Sequence, residues 1–229
     1  MPIPLPLSQT EESCFHTLFG PLELSQAQPL AQGGDRYVFQ HPHEPWLLVK
    51  VMDMEARSVY LAKRPFKRWY KQFQRENDYR VYLNELNEYV AAATRPSGVW
   101  LLPMARILGL AQTDMGPGLM VEKIRDAQGE IAPTIKDLAK QGAFTQQLSE
   151  QLDRFFDDLA DAHVVLHDIS ASNVAVGYNA DGRHGLYLVD GFGVLPAIPL
   201  YAWSRRLNQR RIARKYAELR AKLPAPVPG

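Results

Sequence analysis

Two carboxylates and an amide stand within one short stretch of the chain. Asp168 precedes Asn173 by five residues in Val165-Leu-His-Asp-Ile-Ser-Ala-Ser-Asn173. Seventeen residues after Asn173, an apolar run, Leu186-Tyr-Leu-Val189, delivers Asp190 into the turn Asp-Gly-Phe-Gly193. Carboxylate and amide oxygens are hard donors of the kind that Mg²⁺ takes in octahedral geometry. A carboxylate beside such a pair can orient a hydroxyl and accept its proton. Asp-x-x-x-x-Asn alone is common in loops. The apolar strand and Asp-Gly-Phe-Gly that follow it single this copy out.

The stretch resembles the catalytic loop and metal-binding turn of protein-kinase-like phosphotransferases, whose pattern is H-R-D-L-x-x-x-N followed by D-F-G. The resemblance implies Asp168 as base toward an acceptor hydroxyl, and Asn173 and Asp190 as Mg²⁺ ligands. Phosphoryl transfer asks a protein mainly for positioning and charge neutralisation, which these residue types supply. Three departures stand out. Leu166-His167 replaces His-Arg, Ser170 occupies the position where kinases often carry a Lys, and Gly191 and Phe192 appear in swapped order. The metal pair is intact, and the efficiency of transfer is what the departures bear on.

A second feature lies upstream. Leu30-Ala-Gln-Gly-Gly-Asp-Arg-Tyr-Val-Phe39 reads as a hairpin turning at Gly33 and Gly34, and Trp46-Leu-Leu-Val-Lys-Val-Met52 reads as a buried-type strand with Lys50 in its middle. A cation inside an apolar strand is costly unless paired. Alternation also permits Lys50 to face solvent. In kinase-like folds the strand Lys holds the α- and β-phosphates of ATP and pairs with a helical Glu, so the resemblance gives Lys50 that role. Glu76 is the first candidate partner, being three residues from both Phe73 and Tyr79 on an apolar stripe at 73, 79, 83, 86 and 90. Glu85 is the second. Gly33 and Gly34 would let the backbone approach the nucleotide, since glycine has no Cβ to keep it away.

The remaining elements follow from periodicity. Residues 55–93 read as helix broken at Pro65, 99–108 as strand, 114–118 as a turn, and Leu119–Arg125 as another strand. By order along the chain, that last strand matches the hinge that meets adenine through backbone groups, from Glu122 to Ile124. Residues 134–140 and 145–163 read as helices, the second capped by Thr145 and carrying Leu148, Leu152, Phe155, Phe156 and Leu159 at helical spacing. His163 and His167 lack a third ligand at suitable spacing, which favours a structural or loop-orienting role. Residues 201–223 read as a helix with Trp203, Leu207, Ile212, Tyr216, Leu219 and Leu223 facing inward.

Composition bounds the class. The chain has 229 residues, 46% of them hydrophobic, a formal net charge of +1 and a single cysteine, Cys14. No internal disulfide can form, which suits a reducing compartment. Met1–Leu7 lacks the positive and apolar regions of a signal peptide, and no apolar run reaches the ~18 residues of a membrane span. Residues 57–75 hold seven Lys/Arg interleaved with aromatics, and 204–223 hold eight against one acid, Glu218. Either basic helix could meet a polyanion or an anionic membrane surface, or simply solvate its charges. A cytoplasmic protein, peripheral to the inner membrane if those helices bind lipid, is the expected location.

Ile198-Pro-Leu-Tyr-Ala-Trp-Ser-Arg-Arg206, leading into a basic helix, looks like the ending of the bacterial YrbL family. Its members are described as PhoP-regulatory-network proteins with a kinase-like fold. The resemblance, over roughly residues 30–220, implies an α+β class and a protein-kinase-like two-lobed fold with a truncated helical C-terminal lobe. The expected division is an arm at 1–14, an N-lobe at 15–126, a reduced C-lobe at 127–223 and a disordered Pro-rich tail at 224–229. The expected activity is ATP·Mg²⁺-dependent phosphotransfer to a small molecule or an envelope glycan such as lipopolysaccharide core. The short stretch after the metal turn leaves little room for a protein-substrate platform. The alternatives are a pseudokinase-type regulator that binds nucleotide or partner proteins without turnover, and a polyanion-binding protein.

Overall fold

A computed structural model describes residues 20–33, 35–63, 77–94, 103–193 and 200–227. Gly34, Glu76, the proposed arm and most of the 57–75 basic stretch lie outside them. The structure is mixed α+β and divides into two compact units. One comprises the described residues up to Tyr79 together with Leu108–Val121. The other comprises the described residues of Arg80–Ile107 and those from Glu122 onward.

The first unit is built on a five-stranded sheet: β1 (Ala31–Gln32), β2 (Arg36–Gln40), β3 (Leu47–Met52), β4 (Ile107–Thr113) and β5 (Gly116–Glu122), in the order β1-β2-β3-β5-β4. The β1–β2 hairpin has Ala31 opposite Val38 and turns after Gly33, which donates to the Arg36 carbonyl at 2.8 Å. β2 and β3 are antiparallel, with Val38 opposite Lys50. Leu22, Leu24, Phe39, Val49 and Val51 form the core. Asp114 ties the incoming chain to the β4–β5 turn by accepting from the Leu24 and Ser25 backbone N–H groups at 2.8 and 3.1 Å.

Helix α1 (Met54–Ala62) starts where Asp53 accepts from the Ala56 N–H at 2.8 Å. That bond, the larger cause, holds the Asp53 carboxyl below the usual range. Arg57, the first cation of the basic stretch, does not face water. It bonds Asp35 at 2.7 Å and Asp78 at 3.0 Å.

The second unit contains α2 (Arg80–Ala93), α3 (Ile135–Lys140), α4 (Gln146–Asp161), the hairpin β6 (Val174–Tyr178) and β7 (His184–Leu188), and then α5 (Leu200–Trp203) and α6 (Arg205–Arg220). Thr145 caps α4 as expected, accepting from the Leu148 N–H at 3.2 Å, and Leu148, Leu152, Phe155, Phe156 and Leu159 are its buried stripe. Phe156 stacks on Tyr216 of α6 with ring centroids 4.4 Å apart.

Several expectations are corrected. The sequence division at residue 126 fails for the described residues of 80–107 and for 122–126, which belong to the second unit. The inward face of α2 carries Tyr82, Glu85, Glu88 and Ala92, while Leu83 and Val90 are exposed. Strand β4 begins at Ile107, residues 103–106 lie outside it, and the 99–102 part of that expectation falls outside the described residues. Gly116–Gly118 lie inside β5 rather than in the turn. The C-terminal helix breaks at Ser204, which caps α6, and its Trp203 and Leu207 are exposed, not inward. The tail is paired: Val227 donates to the Phe144 carbonyl at 2.9 Å and accepts from Gln146 at 3.0 Å. These two backbone bonds and the bridge to Thr145 order a segment whose Pro-rich composition suggested disorder.

Candidate functional site

The β6–β7 hairpin sets the spacing between Asn173 and Asp190. Val174 pairs with Leu188 at its open end, and the Val189 N–H donates to the Asn173 carbonyl at 2.9 Å. Asn173 and Asp190 therefore leave neighbouring ends of one hairpin. At its closed end, Asn179 accepts from the Asp181 and Arg183 N–H groups at 3.1 and 2.9 Å, and Arg106 pairs with Asp181.

Gly191 links this hairpin to the loop that carries Asp168. Its carbonyl accepts from both His167 and Asp168 N–H groups, at 2.8 and 3.0 Å. Its φ of +84° is a region that favours glycine, and a Cβ there would lie 2.3 Å from the Asp168 carbonyl oxygen and 2.5 Å from Asn173 Nδ2. Asn173 Nδ2 donates to the Asp168 carbonyl at 3.2 Å and to Asp168 Oδ2 at 3.1 Å. The amide nitrogen is thus turned toward Asp168, and the amide oxygen toward the other side. Asp190 Oδ1 accepts from the Gly191 N–H at 2.7 Å. The structure thereby brings Asp168, Asn173 and Asp190 into one constellation, with Asp168 exposed.

The donor set fits Mg²⁺. One carboxylate and one amide are hard oxygen donors, and among the described residues no group of three His, Cys, Asp or Glu could hold a metal ion by itself. Mg²⁺ is commonly held in that way, by one or two side chains together with substrate phosphates and water.

Three supports of this loop escape a reading for hydrophobic stripes. Glu88 Oε1 accepts from the buried Val165 N–H at 2.8 Å. Asn208, fully buried on α6, donates to the Val164 carbonyl at 2.8 Å. Arg211 donates to the Leu166 carbonyl and lies over the Tyr201 ring, 4.5 Å from its centroid. The backbone segment feeding Asp168 is therefore held by α2 on its N–H side and by α6 on its carbonyl side. Polar residues at positions 88 and 208 on otherwise buried faces are the signal that could have found them. His167 and His163 take structural roles, as expected. His167 Nδ1 meets the Phe192 carbonyl at 3.0 Å, and His163 Nε2 meets that of Ala202 at 3.1 Å.

In the first unit, Lys50 is 5% exposed within β3. The reading in which it faces solvent is removed. Glu76 lies outside the described residues, and Glu85, the second candidate partner, is fully buried on α2. Gly33 sits in the β1–β2 turn, and its neighbour Gly34 lies outside the described residues.

The hinge-like stretch is partly engaged within the fold. The Glu122 N–H donates to the Arg106 carbonyl at 2.8 Å, and the Ile124 carbonyl accepts from Ala132 at 2.9 Å. The Glu122 carboxylate accepts from the backbone N–H of Arg106 at 3.1 Å and of Ala180 at 2.5 Å. Those two backbone groups are engaged within the second unit, so any ligand contact by this stretch falls on its other backbone groups. Ser170 stands where kinases often carry a Lys, and its hydroxyl bonds Ser172 Oγ at 2.8 Å, capping the single turn Ala171–Asn173.

Comparison with known proteins follows the same segment of chain. The family model described as PhoP regulatory network protein YrbL matches residues 22–224. The chain belongs to the YrbL family. YrbL of Escherichia coli (strain K12) is 24% identical over 191 residues, covering 80% of this chain and 79% of the relative. YrbL of Shigella flexneri gives the same figures. Among solved structures, that of monomeric WbdD aligns over 88% of this chain and 41% of its own, with 15% identity and a TM-score of 0.46.

Proposed function

We propose that the chain is an ATP·Mg²⁺-dependent phosphotransferase of protein-kinase-like, two-lobed design, acting on a small molecule or an envelope glycan such as lipopolysaccharide core. The observation that carries this reading is the Asn173 amide bonded to Asp168, with Gly191 joining both to Asp190. In this reading Asn173 and Asp190 hold Mg²⁺, whose charge offsets that developing on the transferred phosphoryl group. Asp168 orients the acceptor hydroxyl and takes its proton, and the Asn173 N–H donated to Oδ2 fixes the carboxylate's orientation for that work.

Lys50 offsets the charge of the nucleotide phosphates, held by Glu76 or Glu85. Gly33 and Gly34 allow close backbone approach to the phosphates, and the stretch from Glu122 to Ile124 receives adenine. A small acceptor suits the second unit because α6, the helix after the metal turn, is occupied in bonding the Asp168 loop at Val164 and Leu166.

The reading is tested by ADP formation from ATP and Mg²⁺ with lipopolysaccharide core sugars as acceptor. Wild type should turn over, and Asp190→Asn and Asp168→Asn should each lower the rate by about a thousandfold. Equal rates in all three would remove the catalytic claim.

Ser170 favours a second reading. With its hydroxyl committed to the loop turn and no cation at that position, the same constellation could bind nucleotide and signal to a partner without transfer. Mg²⁺-linked ATP binding with no turnover on any acceptor would select that regulator over the enzyme.

A further inference from the structure

Helix α6 has a face that the loop-holding role does not use. Asn208, Ile212 and Leu219 are buried on one side. On the opposite side, Arg206, Arg210 and Arg214 recur every fourth residue, so they form one row along the helix. All three are exposed. Other cations of the same helix are engaged within the fold: Arg205 with Asp161, Lys215 with Glu218, Arg220 with Ser149 and Asp153, and Arg211 with Leu166.

Three large apolar side chains of α5 and the first turn of α6, close in sequence to the start of the row, are also exposed. Trp203 is 74% exposed, Leu200 52% and Leu207 43%. No Asp or Glu occurs from Leu200 to Ala217, and Glu218, which ends the row one turn beyond Arg214, is paired with Lys215 at 2.8 Å. Large exposed side chains, aromatic and aliphatic, near a row of arginines that meets an acid only at its far end are what an interfacial helix presents to lipid.

We infer that this face of α5 and α6 docks on an anionic lipid surface, with Arg206, Arg210 and Arg214 against the headgroup phosphates and Leu200, Trp203 and Leu207 at the boundary with the acyl chains. Charge complementarity names the anionic partner, since each basic residue near such a surface is drawn to it until salt screens the field. The aliphatic pair favours lipid over nucleic acid. Leu200 and Leu207 would gain by leaving water for the acyl boundary, whereas a phosphate backbone offers them nothing. Trp203 suits the same depth, because an indole has an apolar body and an N–H that can stay with the headgroups. Among the described residues no helix is long and apolar enough to cross a membrane, so the contact is one of lying on the surface. The inference uses none of the residues assigned to phosphoryl transfer and stands or falls apart from it.

Vesicle co-sedimentation at low salt tests it. The full chain should bind phosphatidylcholine vesicles containing about one third phosphatidylglycerol and should not bind phosphatidylcholine alone. Replacing Arg206, Arg210 and Arg214 together by Gln should weaken binding by about a hundredfold, at roughly 1 kcal/mol for each basic residue. Trp203→Ser with Leu207→Ser should also weaken it, and the blue shift of tryptophan emission on the anionic vesicles should vanish in Trp203→Phe. All the substituted side chains are exposed, so each variant should melt with the wild type.

Equal binding to both kinds of vesicle, or no loss in the triple Gln variant, would overturn the proposal. So would unchanged vesicle binding by the Trp203→Ser, Leu207→Ser variant together with tighter binding to single-stranded DNA. That last result would mark the arginine row as a plain polyanion patch.

Discussion

Gly191 is the residue on which three others depend. Its carbonyl holds the Asp168 and His167 N–H groups, and its missing Cβ leaves room for Asn173. Gly191→Ala should therefore cost about 2 kcal/mol in stability, from a positive φ that alanine tolerates poorly and from contact with backbone. Urea unfolding reads that loss directly, and an unchanged midpoint would mean that the turn relaxes freely. Lys50 is tested in a different way. Lys50→Met should weaken ATP binding by roughly tenfold or more, because a charge-assisted bond to phosphate is lost. Calorimetric titration would show it, and unaltered affinity would take Lys50 out of the nucleotide site.

At the scale of elements, the loop before Asp168 is held by α2 and α6. Asn208→Ala strands the buried Val164 carbonyl, and Glu88→Ala strands the Val165 N–H. Each should destabilise the chain by about 1–3 kcal/mol, because a buried group without a partner bears its full desolvation penalty. Chemical denaturation of both variants checks this, and losses below a few tenths would mean that neither bond matters.

These supports also show where sequence reasoning ran out. The constellation Asp168, Asn173, Asp190 was legible because a hairpin of fixed length separates its parts, and apolar strand residues announce that hairpin. The stripe drawn through positions 83, 86 and 90 misplaced the face of α2. Its buried side carries two glutamates, which a hydrophobic pattern counts as outward-facing. The same bias placed Trp203 and Leu207 inward. Apolar residues that serve a surface carry the same letters as those that serve a core.

Among the described residues, acid sensitivity is shared by His41, whose imidazole is held below its ordinary value by burial, by Glu218, held low chiefly through Lys215, and by three aspartates. Hydrogen bonds hold the carboxyl of Asp53 below the usual range chiefly through the Ala56 N–H, that of Asp114 chiefly through Ser25, and that of Asp137 chiefly through Thr134 in the capping box of α3. Depressed carboxyls add stability above their unfolded value and lose it as pH falls through the folded one. Thermal melts should therefore begin to fall as the solution drops below the ordinary imidazole value, where His41 must be protonated against its burial, and fall further through the carboxylate range. Asp137→Asn should fall less steeply there, and a parallel slope would deny the capping box its share.

The described residues of 80–107 belong to the second unit, against the sequence reading, and the Glu88 bond to Val165, 77 positions along the chain, is one of the ties. No local pattern encodes such a contact. The central claim, that Asn173 and Asp190 bind Mg²⁺ together with ATP, is tested most directly by calorimetric titration of ATP with and without Mg²⁺ into wild type and Asp190→Ala. Binding that strengthens with Mg²⁺ in the wild type, and loses that dependence in the variant, is the predicted result. No ATP binding, or the same Mg²⁺ dependence in both proteins, would contradict it.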